Sequence, residues 1–356
     1  MFKKNEKIIM ISNIGSASRK YSVYAYNKKD NISRELFSIA FDHKEYNFSI
    51  SDIDIIAERV VAVGEFFLED KVIDKEYLEK LEFAKKYDVL HTESLINELK
   101  QIFELREVCK RKNIAYKFEL IGISDSTFHS TISKETYTYA VKSIGKNIFR
   151  KYGYHGISMS EISNRYSKKY KNIIAIHLGG GGSVTAIKNG KSIFNSFGMT
   201  PLSGLINLTR SGDVDPFIVF DILEKKTKNF SLLEKVNSNI INTANQLYEE
   251  SGLYFLSKRK DMRDIVFGLD SKNKEDRENC NFALDVYINK INEYIGVALS
   301  HLEKIDAIVL TGAILEKSEI FRKRFLKKIS WLNLKKDNIL IAKTEEEKEM
   351  LRLIID

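Results

Sequence analysis

The chain has 356 residues, 43% of them hydrophobic and 30% charged, with a net charge of +8. That is an ordinary globular composition with enough chain for two domains, each with its own core, and it excludes a disordered or fibrous protein. No apolar run reaches membrane-spanning length, so no membrane partner is expected.

Met1-Phe2-Lys3-Lys4 leads into Asn5-Glu6-Lys7 rather than an apolar signal segment. The two cysteines, Cys109 and Cys280, are far apart and offer no metal-ligand spacing. Both features point to a reducing cytoplasm. The positive charge is carried by lysines mixed with glutamates, as in KEYLEKLEFAKKYD, without a basic stripe or interleaved aromatics. It is read as a solvated surface with mild attraction for anionic substrates, and no nucleic-acid partner is expected.

In chain order, residues 8–24 predict two strands, Ile8 to Ile11 and Tyr21 to Tyr24, around a small-residue turn from Asn13 to Ser18. Asn13, Ser16, Ser18 and Lys20 in or beside that turn read either as turn chemistry or as donors for phosphate oxygens. Residues 55–63 predict a buried strand interrupted by Arg59, whose guanidinium must be paired or directed into a cleft. Helices are expected at 74–88 and 93–110, the second placing Leu95, Leu99, Ile102 and Leu105 in the core, with His91 in the intervening loop or cap. Residues 116–123 predict a strand that delivers Asp125 just past its end, either as a reacting-site carboxylate or as a helix cap. His129 is expected to be structural.

His155 stands between Gly153 and Gly156, and reads either as a structural histidine or as an exposed imidazole that can donate to developing negative charge. Residues 173–176 and 184–187 predict two strands around the four glycines Gly179 to Gly182, the second ending at an Asn189-Gly190 hairpin turn. Glycines let backbone N–H groups approach an anion closely, so this turn reads as a phosphate cradle or, without a ligand, as a glycine-rich bulge. No Gly-Lys-Ser/Thr follows, which excludes a Walker loop. The segment resembles residues 8–24, about 165 residues earlier, which suggests an internal duplication.

Arg210 lies in the compact polar turn Thr209-Arg210-Ser211-Gly212-Asp213-Val214-Asp215-Pro216, suited to bidentate capture of phosphate or carboxylate. Asp213, Asp215 and Pro216 also read as a helix start. Leu284, Ile288, Ile291, Ile295 and Leu302 predict a long core-facing helix over 279–303, and residues 306–311 a strand ending at Gly312-Ala313. Glu345, Glu346 and Glu347 read as a helix start or as carboxylates for Mg²⁺.

Together these motifs resemble the acetate and butyrate kinase family, and the resemblance runs from residue 8 to about residue 350. It rests on Asn13, Gly15, Ser16, Ser18 and Lys20; on Arg59-Val60-Val61; on Asp125, Ser126, Phe128 and His129; and on Tyr152-Gly153-Tyr154-His155-Gly156. It continues through His177-Leu178-Gly179-Gly180-Gly181, the block Gly198 to Pro216, Ser251-Gly252-Leu253 and Asp261 to Asp264. The resemblance implies an α/β fold of the duplicated ribonuclease H-like kind shared by sugar kinases, Hsp70 and actin, with two lobes around a central cleft. It implies an N-terminal lobe over 1–145, to which the tail 343–356 returns, and a C-terminal nucleotide-binding lobe over 146–342. The implied activity is reversible, direct in-line transfer of the ATP γ-phosphoryl group to a short carboxylate, by a cytoplasmic homodimer.

By the family pattern, Arg59 and Arg210 flank the phosphoryl group, His155 hydrogen-bonds it and Asn13 lies close by. Asn13, Asp125 and Glu346 organise Mg²⁺. Ser16, Ser18, Lys20, His177 and Gly179, Gly180, Gly181 and Gly182 serve the phosphates of ATP or ADP. Asp261, Met262, Arg263, Gly312 and Ala313 serve the adenosine side. Val61, Leu90, Tyr154 and Pro201 line the acyl pocket.

The chain departs from the pattern in places. Ala62, Val63 and Gly64 replace His-Gly-Gly, His91-Thr92-Glu93 replaces His-Asn-Pro, and Gly180 replaces an asparagine. Gly312-Ala313-Ile314-Leu315-Glu316-Lys317 replaces Gly-Gly-Ile-Gly-Glu-Asn, so that Leu315 is expected to add bulk where a nucleotide approaches backbone. That change leaves open a non-catalytic member that binds nucleotide or acyl phosphate as a sensor. Tyr154 in place of phenylalanine adds a hydroxyl to the acyl pocket.

Overall fold

The two apolar runs that resemble one another each found a sheet. The computed structural model describes residues 6–14, 19–30, 32–40, 50–87, 89–142, 149–227 and 242–356. In the first sheet Lys7–Ile14 (β1), Arg19–Asn27 (β2) and Ile32–Ala40 (β3) form an antiparallel meander. Ile55–Val60 (β4) joins β1 in parallel, Lys71–Val72 (β5) lies at the edge, and Glu119–Ser124 (β6) pairs in parallel with β4. The order is β3-β2-β1-β4-β6-β5.

In the second sheet Asn172–Leu178 (β7), Gly182–Lys188 (β8) and Lys191–Asn195 (β9) form another antiparallel meander. Ala307–Thr311 (β10) joins β7 in parallel, and Ile339–Ile341 (β11) joins β10 in parallel. Read from β9, the order β9-β8-β7-β10-β11 repeats β3-β2-β1-β4-β6 strand for strand. The duplication expected from two short segments is therefore a duplication of topology, and the fold is the duplicated ribonuclease H-like α/β fold. The Asn189-Gly190 turn has positive φ at both residues, 52° and 80°, as a tight type I′ hairpin requires.

The chain divides into two compact units. One comprises Met1–Ser130, Tyr154–Glu161 and Glu345–Asp356; the other comprises Thr131–Gly153 and Ile162–Thr344. Around the sheets lie the helices Lys75–Ala84 (α1), Val89–Arg111 (α2), Gly156–Tyr166 (α3), Lys274–Ser300 (α4), Glu319–Lys328 (α5) and Glu346–Ile355 (α6).

In the first unit, strand alternation sends Ile56 and Val60 toward Leu81 of α1 and Leu95 and Leu99 of α2. Ile55 and Ala57 face the other way, toward Ile157 of α3 and Met350 and Leu351 of α6. In the second unit Leu284, Ile288, Ile291 and Ile295 of α4 pack with β7 and β10, as their spacing predicts. Two expectations fail in the first unit. Leu105 is 38% exposed rather than in the core. At 100° per residue it sits about 80° from the Leu95–Leu99 stripe, whose next position belongs to Arg106. That guanidinium lies over Phe118 and donates to its carbonyl. His91 falls in the first turn of α2 rather than in a loop, and its side chain lies outside the described residues.

Strand alternation also buries an unexpected acid. Glu58 shares the α1–α2 face with Ile56 and Val60, is 0% exposed, and among the described residues neither carboxyl oxygen meets a partner at hydrogen-bonding geometry. Glu98 of α2 accepts from the Ser12 hydroxyl at 3.0 Å and the Tyr21 hydroxyl at 3.0 Å. Burial, and then the charge of Glu98, push the Glu58 carboxyl well above the usual range; burial raises Glu98 as well, against these two hydrogen bonds and the charge of Arg19. A carboxyl whose folded value is raised supports the fold while protonated, and that support is lost as pH climbs above the unfolded value near 4.3. The Glu58→Gln variant is therefore expected to melt above the wild type at pH 8, with the difference closing by pH 4. Coincident melting curves at both pH values would show that Glu58 carries no such penalty.

Candidate active site

In the first unit, the buried strand ends bring four predicted residues together. Arg59 leaves β4 on the face opposite Glu58, where a guanidinium among apolar neighbours needs anionic partners. It has them: Nη2 donates to Asp125 Oδ2 at 2.6 Å, while Nη1 donates to Glu346 Oε2 at 3.1 Å and to Asn13 Oδ1 at 3.1 Å. Asn13 Nδ2 in turn donates to Glu346 Oε2 at 3.0 Å and Glu347 Oε1 at 2.8 Å. Lys20 lies 3.6 Å from Glu347. Burial alone pulls the guanidinium down, but the charges of Asp125 and Glu346 more than reverse this, so Arg59 stays charged. Asp125 is thus an ion-pair partner and not a helix cap.

Sequence reasoning left open which of the three tail glutamates takes part. The geometry brings both Glu346 and Glu347, in the first turn of α6, to Asn13, while the Glu345 side chain pairs with Lys348. The signal for Glu347 was present only as a charge run. Among the described residues no group of three or more His, Cys, Asp or Glu is disposed as metal ligands. The hard-oxygen set Asn13, Asp125 and Glu346 nevertheless fits an ion that takes one or two carboxylates plus phosphate oxygens. Among the described residues Asp125 Oδ1 is buried without a hydrogen-bond partner, an uncommitted acceptor of the kind such an ion uses.

His155 precedes α3 with φ of 63°. The next residue, Gly156, donates its N–H to the Asp125 carbonyl at 2.8 Å. A Cβ there would stand 2.2 Å from that carbonyl oxygen, so only glycine lets the His155 loop approach Asp125 this closely. His129 is structural as expected: its ring is buried, Nε2 donates to the Tyr154 carbonyl at 3.0 Å, and burial pulls it down to about 4. Tyr154 is buried, as is Val61, whose carbonyl accepts from Thr92. Ser16 and Ser18 lie outside the described residues, as does the Leu90 side chain.

In the second unit, the adjacent parallel strands β7 and β10 end side by side, with Thr311 opposite His177. Their ends present His177 with Gly179–Gly182 and Gly312-Ala313 respectively, the usual ligand edge of such a sheet. Gly180 is exposed at the tip of the turn and Gly182 buried at its base. The Gly312 N–H is taken by Glu316 Oε1 at 2.9 Å and Thr344 Oγ1 at 3.1 Å.

Leu315 does not stand where a nucleotide would approach. It is 0% exposed in the core beside Phe321 and Phe325, because the turn of helix over Ala313–Lys317 rotates it inward. The reason for expecting a non-catalytic protein goes with it. Arg210 Nη1 reaches the Pro201 carbonyl at 3.4 Å, so these two predicted residues meet. Asp213 accepts from the Gly204 N–H at 2.8 Å and from the Tyr294 hydroxyl, and Asp215 caps the helix begun at Pro216. Asp261 caps the helix Met262–Gly268 and pairs with Arg263, while the Met262 side chain belongs to the core.

The model of the acetokinase family matches residues 33–352. The acetate kinase of Mycoplasma pneumoniae is 32% identical over 95% of this chain and 90% of its own length, and that of Phytoplasma mali is 32% identical over 96% and 91%. Among solved structures, a propionate kinase from Francisella tularensis superposes with a TM-score of 0.76 at 24% identity, over 97% of this chain and 98% of its own. The acetate kinase of Entamoeba histolytica superposes with a TM-score of 0.75 at 23% identity, over 98% of each chain. These last two likenesses concern the fold. Taken with the matching extent of sequence, they leave one assignment: the chain belongs to the acetokinase family.

Proposed function

We propose that this protein is a carboxylate kinase that transfers the γ-phosphoryl group of ATP, reversibly, to acetate or another short-chain carboxylate. The observation that carries the reading is the convergence of Asn13, Arg59, Asp125 and Glu346 within hydrogen-bond distance in the first unit. A guanidinium already held among oxygen ligands is the arrangement that phosphoryl transfer uses to meet charge it cannot relocate. A carboxylate oxygen of the acid attacks the γ-phosphorus as the bond to the β–γ bridging oxygen breaks; ADP leaves with that electron pair, and no proton moves.

Arg59 and Arg210 neutralise the equatorial oxygens in flight, and His155 donates to them. His177 and Gly179–Gly182 hold the ADP phosphates, and Lys20 serves them as well. Asp261, Arg263 and Gly312 serve the adenosine side. Asn13, Asp125 and Glu346 would hold Mg²⁺, which when bound neutralises phosphate oxygens. Val61, Leu90, Tyr154 and Pro201 shape the acyl pocket. The working form is a cytoplasmic homodimer, an inference supported by the family assignment; Cys109 and Cys280 are both free thiols, as a reducing compartment requires.

Acyl phosphate trapped as hydroxamate, with ATP, Mg²⁺ and a panel of short acids, tests the reaction directly. The Arg210→Ala variant is expected to lose about 10²–10³-fold or more in turnover while keeping its far-UV spectrum; undiminished turnover would remove Arg210 from the site. Arg59→Ala should lose activity and also about 3–5 kcal/mol of stability, because buried carboxylates lose their counter-charge; a denaturant midpoint equal to wild type would contradict this. Tyr154→Phe is expected to raise kcat/KM for propionate relative to acetate by up to about tenfold, the scale of one polar group in an apolar pocket. An unchanged ratio would place the hydroxyl away from the acyl chain.

A further inference from the structure

The glycine turn and the Arg210 loop are joined by a side chain that the family pattern does not explain. Asn207 is 1% exposed, and among the described residues neither its Oδ1 nor its Nδ2 has a hydrogen-bond partner. Its backbone is held firmly. The Asn207 N–H donates to the Arg210 carbonyl at 3.0 Å, and the Asn207 carbonyl accepts from the Leu253 N–H at 2.9 Å. Gly252, with φ of 63°, presses on this turn so closely that a Cβ would stand 2.3 Å from the Asn207 carbonyl oxygen and 2.6 Å from that of Arg210. The carboxamide lies against the base of the glycine turn, where a Cβ on Gly182 would stand 3.0 Å from Asn207 Oδ1. The turn itself is closed, since the Gly179 N–H donates to the Gly181 carbonyl at 2.8 Å.

A buried primary amide with no partner is costly, and such groups are normally satisfied. The closed turn is also the wrong shape for an anion, because the Gly179 N–H is spent on Gly181. Turning that N–H outward frees the Gly181 carbonyl, which then needs a donor on the inner side. Glycine peptides rotate at little steric cost, and the Asn207 carboxamide at the base of the turn, beside the Tyr287 hydroxyl, carries an uncommitted donor in Nδ2.

We propose that Asn207 is a positioning residue for phosphate binding: its Nδ2 donates to the inward carbonyl of the glycine turn when the turn opens to a phosphate group, and it ties that opening to the Arg210 loop. The inference rests on the reading of Gly179–Gly182 as the phosphate cradle.

The test is calorimetric titration of the full chain and of Asn207→Leu with pyrophosphate, ADP and adenosine, alongside thermal melts. Asn207→Leu is expected to bind pyrophosphate and ADP about tenfold more weakly, the worth of one hydrogen bond to a polar site. It should bind adenosine unchanged and melt no lower than wild type. Unchanged affinity for pyrophosphate, or an equal loss for adenosine and pyrophosphate, would overturn the proposal, since a packing role makes no distinction between them. If the leucine variant does not fold, Asn207→Asp keeps the shape without the Nδ2 donor and is read by the same criteria. A wild-type chain that binds neither pyrophosphate nor ADP would overturn the cradle itself and this role with it. Binding by the wild type that the variant matches would overturn the role of Asn207 alone.

Discussion

A buried guanidinium constrains everything around it, and Arg59 does so in the first unit. Its cationic head cannot be left among apolar neighbours, so the fold must bring acceptors to it. They come from three distant places in sequence: Asn13 at the end of β1, Asp125 just past β6, and Glu346 at the start of α6. This ion pair explains why the C-terminal helix belongs to the first unit although the intervening chain belongs to the second. It also explains why the helix begins with glutamates. The first turn of a helix favours negative charge, and here the same charge answers Arg59. One residue type thus satisfies a local and a long-range requirement together.

The duplicated topology decides where such groups collect. In both sheets the first strand turns back on itself and then takes two parallel neighbours on its other side. The end of the first strand and the ends of its parallel neighbours therefore lie at one edge of each sheet. In the first sheet that edge carries Asn13, Arg59 and Asp125; in the second it carries His177, the glycine turn and Gly312. The same scaffold has been filled with carboxylates and a guanidinium in one copy, and with a histidine and glycine-rich backbone in the other. The first filling suits a metal ion and a reacting acid, the second a run of phosphate oxygens.

How much of this the sequence discloses depends on the range of the interaction. Strands β1, β4, β7 and β10 were legible because each is an apolar run bounded by small residues, and the Asn189-Gly190 turn because only a few residue types tolerate its φ values. The need of Arg59 for a partner or a cleft was legible, but not the identity of its partners: the tail glutamates read as a helix start or as metal carboxylates, and their ion pair with Arg59 carried no sequence signal. Leu315 was misjudged because a substitution in a binding loop looks like an obstruction until the helical turn that points it inward is known. Leu105 was misjudged because stripe membership drifts along a helix, and Arg106 can cover core surface with its stem. Glu58 and Asn207 carry no local mark at all. Their significance lies in being buried without partners among the described residues, a property of the packed chain rather than of any window of residues.

The two arginines show how differently one chemical group can be held. Arg59 is fixed by carboxylates, so its position answers to charge. Arg210 sits in a loop shaped by backbone contacts, from the Asn207 N–H to its own carbonyl and from Gly252 pressed against both, so its position answers to sterics. A charge-held side chain can shift its hydrogen bonds when an anion joins the carboxylates around it, because phosphate oxygens accept as carboxylate oxygens do. A sterically held loop cannot yield in that way; it moves as a piece or stays. Arg59 thus adjusts its ligands, while Arg210 keeps a fixed backbone. The fixed one depends on glycine where any side chain would collide, which is why the block around Arg210 can be recognised as a pattern more readily than it can be built from the chemistry of its residues.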